Sequence, residues 1–99
     1  MNYSLAKQLK ETGFPEKSNG KYRFNSQNVP EGEIMDYKHI KKYGYYIPTL
    51  SELIEACGDK FDKLIHTRVD QEWHAYGDGE FDCGETPDEA VARLWIKLQ

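Results

Sequence analysis

Near the end of the chain, Val91, Leu94, Trp95 and Leu98 fall at i, i+3, i+4 and i+7, the spacing of one apolar face on an amphipathic helix. The start of that helix is written into the residues before it. Thr86 is an N-cap, Pro87 occupies the first helical position, where a missing N–H costs nothing, and Glu89 completes a capping box. Thr49-Leu50-Ser51-Glu52 repeats the device, with Thr49 as cap, and Leu50, Leu53, Ile54 and Cys57 form a second apolar stripe that Gly58 ends. A shorter first helix is predicted over Ser4 to Thr12 with Leu5, Ala6 and Leu9 inward. Gly13 ends it, Phe14 folds back as an apolar contact, and Pro15 forbids continuation.

Strand patterns lie between these helices. Phe61 to Val69 reads as a strand with Phe61, Lys63, Ile65, Thr67 and Val69 on one face, although Leu64 interrupts the alternation. Glu72 to Tyr76 is a second strand, Asp78-Gly79 a hairpin turn, and Glu80 to Cys83 a third strand. Alternation directs Trp73 and Ala75 toward the helices and His74 and Tyr76 to the opposite side. Tyr22 to Phe24 is a further short strand, and Lys17 to Gly20 a turn. From about 25 to 46 the pattern dissolves into an irregular segment rich in Tyr and Lys, with order returning at Tyr45 to Pro48. The expected fold is α+β: one domain over residues 1–99, a small antiparallel sheet of about three strands, and helices packed on one face.

A chain of 99 residues has the length of one small domain, burying roughly 60–70 % of the surface its unfolded form exposes. Net charge is −4 and pI about 5.3, which disfavours nucleic acid and anionic membranes as partners for the chain as a whole. The charge is uneven: residues 1–49 carry 8 Lys/Arg against 5 Asp/Glu, and residues 50–99 carry 5 against 12. Two cysteines without a C-x-x-C pair are too few for a disulfide scaffold, so both are expected reduced. Met1 to Lys10 holds no apolar signal region and no 18-residue apolar run occurs, so the expectation is a cytoplasmic protein with no membrane partner.

Two blocks, Tyr46 to Gly58 (YIPTLSELIEACG) and Gly84 to Trp95 (GETPDEAVARLW), together with the opening Leu5 to Pro15, resemble a family of small uncharacterised bacteriophage and prophage proteins. A tryptophan-bearing strand, a short hairpin and Gly-x-Thr-Pro-x-Glu-Ala opening a helix are more distantly similar to HicB-like domains and phage α/β sandwich domains. The resemblance implies a mobile-element protein, placed in a bacterial host, and no known activity.

Chemistry-bearing constellations are sparse. Asp78, Glu80, Asp82 and Glu89 approximate a calcium-loop count, but Cys83 stands where that loop requires glycine. His66, His74, Cys57 and Cys83 do not pair at zinc-ligand spacing, and no metal or cofactor is expected. Cys83 and His74 lie on neighbouring strands as a conceivable nucleophile and base, without a recognisable oxyanion element or orienting third residue. The candidate partner-binding residues are therefore Tyr37, His39, Lys41, Lys42, Tyr43, Tyr45 and Tyr46, where aromatics and bases sit side by side. The competing reading is that these tyrosines cover the core of a small domain. The expected function is non-enzymatic: an accessory protein that binds a host or phage protein and thereby counteracts host defence. The alternative is a binder of nucleotides or single-stranded nucleic acid through the same segment. Edge strands in so small a sheet leave a homodimer open.

Overall fold

The computed structural model describes residues 3–15, 21–24 and 44–99. The chain divides into two compact units, Asn2–Ile47 and Pro48–Gln99.

In the first unit, α1 (Tyr3–Thr12) packs on an antiparallel pair, β1 (Lys21–Phe24) and β2 (Gly44–Ile47). Leu5, Ala6 and Leu9 are buried, as their spacing predicts. The end of α1 is a Schellman motif. The Gly13 N–H donates to the Lys10 carbonyl at 3.0 Å and the Phe14 N–H to the Leu9 carbonyl at 2.9 Å, with Gly13 at φ +95° and the Phe14 ring buried.

In the second unit, α2 (Leu50–Cys57) runs through a 3-10 turn (Gly58–Lys60) into β3 (Phe61–His66), then β4 (Trp73–Gly77), β5 (Glu80–Gly84) and α3 (Pro87–Lys97). The three strands form an antiparallel sheet in the order β3-β4-β5, α3 lies on β4 and β5, and α2 packs against α3. The fold is α+β, as expected. Both helix caps form as read: the Thr49 Oγ1 accepts from the Glu52 N–H at 3.2 Å, and the Thr86 Oγ1 from the Glu89 N–H at 3.3 Å. Leu53, Ala75, Ala90, Val91, Ala92 and Leu94 are fully buried and Trp95 nearly so, which places this unit's core between α2, α3 and the inner face of the sheet.

Strand β3 departs from expectation twice. It stops at His66, because Thr67 to Asp70 form a turn with Val69 fully exposed at its tip. Its facing is also reversed after the first residue. Phe61 pairs with Gly77 and Lys63 with Tyr76, so Asp62 is an extra residue, a β-bulge. The bulge shifts the phase: Phe61 and Leu64 both turn toward the helices, while Lys63 and Ile65 turn away. The interruption at Leu64 was the trace of that bulge in the sequence.

Candidate functional site

Ala75 is fully buried against the helices, so pleating sends His74 and Tyr76 to the opposite face of the sheet. The register adds Lys63 and Ile65 from β3, and Phe81 and Cys83 from β5, to that same face. The Asp78-Gly79 turn sets this register. Both residues have positive φ, +50° and +77°, the two-residue hairpin geometry that leaves Tyr76 opposite Phe81 and His74 opposite Cys83.

The result is an aromatic surface. The Tyr76 and Phe81 rings stack at 5.7 Å and 24°, and the His74 and Phe81 rings lie 6.3 Å apart at 14°. Lys63 Nζ stands 5.1 Å from the Tyr76 ring centroid. Phe81 is 50 % exposed and Ile65 40 %, large apolar side chains left in water on one sheet face. At the hairpin end, Asp62, Tyr76, Asp78, Glu80 and Phe81 line an open hollow of about 280 Å³.

The other end of this face is polar. Asp70 Oδ1 accepts from the Thr67 hydroxyl and from the Glu72 N–H, the latter at 3.0 Å, while Oδ2 lies 2.8 Å from His74 Nε2. Those bonds, the Thr67 hydroxyl first, hold the Asp70 carboxyl down at about 2. An ionised Asp70 is acceptor-only, so His74 carries its proton on Nε2. The Cys83 thiol donates to the Glu72 carboxylate, which raises its pKa, with burial and the neighbouring negative charges of Glu72 and Asp82 adding to the rise. Burial raises the Cys57 thiol as well. A thiol held protonated is the opposite of what a cysteine nucleophile requires.

Of the residues singled out from sequence, Tyr37, His39, Lys41, Lys42 and Tyr43 lie outside the described residues. Tyr45 and Tyr46 are consecutive on β2 and therefore point to opposite sides. Tyr46 is only 4 % exposed and shares the space beneath α1 with Ala6, Leu9 and Phe14, so its side chain belongs to the core of this unit. Tyr45 is half-buried, with Lys10 Nζ 5.4 Å from its ring centroid. His74 and Cys83 do come together as predicted, directly opposite one another.

Sequence reading passed over Phe81, Ile65, Asp70 and Glu72. Their signals were present: Phe81 stands two residues before Cys83 on the strand that follows the Asp78-Gly79 turn, and Asp70, Glu72 and His74 alternate. Comparison with known proteins found no matching family model, no matching curated protein and no matching solved structure. Among the described residues, no helix is long and apolar enough to cross a membrane.

Proposed function

We propose that this is a non-enzymatic binding protein of bacteriophage or prophage type, which occupies a host protein through the exposed face of its three-stranded sheet and so counteracts host defence. One observation carries the binding surface: Phe81 and Ile65 are exposed on one sheet face, where the His74 and Tyr76 rings each stack on Phe81. Exposed aromatics on rigid strands are economical contact residues, because little side-chain entropy is lost when a partner covers them. The protonated Cys83 thiol supports binding over nucleophilic catalysis. The phage and host assignments rest on the resemblance of the PTLSELIEACG and GETPDEAVARLW blocks.

The second unit has 5 Lys/Arg against 12 Asp/Glu, a net −7, so the surface favours a partner with a basic, partly apolar patch. The same charge disfavours the runner-up, single-stranded nucleic acid, although the rings would suit base stacking.

The test is capture of a partner from bacterial lysate on the immobilised protein, compared with the Ile65→Ser/Phe81→Ser double variant. Loss of one captured protein, with circular dichroism and melting temperature retained, supports the reading. Equal capture by both proteins removes this face as the binding surface. A shift of single-stranded oligonucleotides at about 50 mM salt that fades as salt rises would instead favour the runner-up.

A further inference from the structure

We propose that Asp70, Glu72 and His74 form a binding site for a divalent transition-metal ion of the zinc class, with the Cys83 thiol as fourth donor. One ligand atom from each of Asp70, Glu72 and His74 lies within 4.8 Å of the other two. A tetrahedral ion with bonds of about 2.0–2.1 Å holds its donors roughly 3.4 Å apart, so rotation of these side chains brings the set to bonding distance.

The donor chemistry selects the ion. Carboxylates alone would suit magnesium or calcium, but an imidazole and a thiol favour zinc and its neighbours. The thiol comes from β5, a different element from the loop that carries the carboxylates. Register places Cys83 directly opposite His74, on the same face of the sheet. Asp70 is oriented from outside the set by the Thr67 hydroxyl, as outer-shell donors orient metal-binding carboxylates.

The proton balance is simple. On binding, Cys83 releases its S–H proton to solvent and forms the metal–sulfur bond. The His74 proton moves from Nε2 to Nδ1, freeing the Nε2 lone pair. One proton leaves per ion bound, so affinity falls as pH falls. The site is independent of any partner protein, and its test is read on the isolated chain.

Cobalt(II) is the optical probe and zinc(II) its competitor. The expected result is d–d absorption of four-coordinate cobalt with a sulfur-to-cobalt charge-transfer band, both erased by zinc, and a melting temperature raised several degrees by zinc. His74→Ala and the near-isosteric Asp70→Asn should each abolish the spectrum. Cys83→Ser should remove the charge-transfer band. The proposal is overturned if cobalt shows only the spectrum of the aqueous ion, or if zinc raises wild type and a folded Asp70→Asn variant equally. Four-coordinate bands without charge transfer in the wild type would overturn the role given to Cys83.

Discussion

Arg93 reaches from α3 to the outer edge of β5, where its Nη1 donates to the Cys83 carbonyl at 2.8 Å. One helical turn later, Lys97 Nζ donates to the Phe81 carbonyl at 2.9 Å. The match is geometric: four helical residues rise about 6.0 Å and two strand residues about 6.6 Å, so side chains at i and i+4 meet alternate carbonyls. The Cys83 N–H is taken too, by Asp82 Oδ1 at 2.8 Å. Main-chain groups that a second copy would need for strand addition at this edge are already engaged.

Opening that edge should therefore change the association state. The Arg93→Ala/Lys97→Ala variant is expected to self-associate with rising concentration, measured by sedimentation velocity, under conditions where wild type does not. Arg93→Ala alone should cost about 1 kcal/mol in urea unfolding, the usual net worth of one such hydrogen bond.

Gly84 is a spacing residue. A Cβ there would stand 2.8 Å from the Ala90 N and 2.9 Å from the Glu89 Cβ, so α3 could not lie so close to β5. Gly84→Ala should destabilise by about 1–3 kcal/mol through this overlap, measured by urea unfolding. Gly79 is the contrast. Nothing lies within 4 Å of its added Cβ, and Gly79→Ala should be penalised by about 1–2 kcal/mol for its φ of +77° instead.

Loss of a helix cap has a local cost. Thr86→Ala removes the acceptor for the Glu89 N–H and should lower stability by about 1 kcal/mol, whereas Thr86→Ser should retain most of it. Thermal unfolding followed at 222 nm reads the difference.

The adjacent tyrosines of β2 should separate cleanly. Tyr46→Ala empties a buried position and is expected to cost about 3–5 kcal/mol, as for other large aromatics. Tyr45→Ala should cost well under that, because its side chain is only partly buried. Comparable losses at both positions would contradict the burial described.

Asp70 has a depressed folded-state pKa of about 2, against an ordinary 3.8. Its contribution to stability is thus complete above pH 3.8 and is lost as pH falls through about 2, since the unfolded chain takes up the proton first. A carboxyl-carbon NMR titration should place its midpoint near 2 in wild type. Thr67→Val should move it up toward 3.8, because the Thr67 hydroxyl is the largest cause of the depression.

What the residues determined unaided was local. The Thr49 and Thr86 caps, the Gly13 Schellman end and the Asp78-Gly79 turn each depend on groups within a few positions, so short-range hydrogen bonding and allowed φ values settle them. The apolar stripe of α3 was legible for the same reason: helical spacing alone brings Val91, Leu94 and Trp95 to one face. Only the tertiary structure decided which strand residues face water. One bulged residue at Asp62 reverses the facing of everything after it on β3, and pairing with β4 fixes where that residue falls. Strand pairing likewise decided that Tyr46 is core, that Phe81 lies exposed beside Tyr76, and that Cys83 meets His74 and Glu72. Those neighbours are remote along the chain, and no local preference encodes a meeting that the register of a sheet brings about.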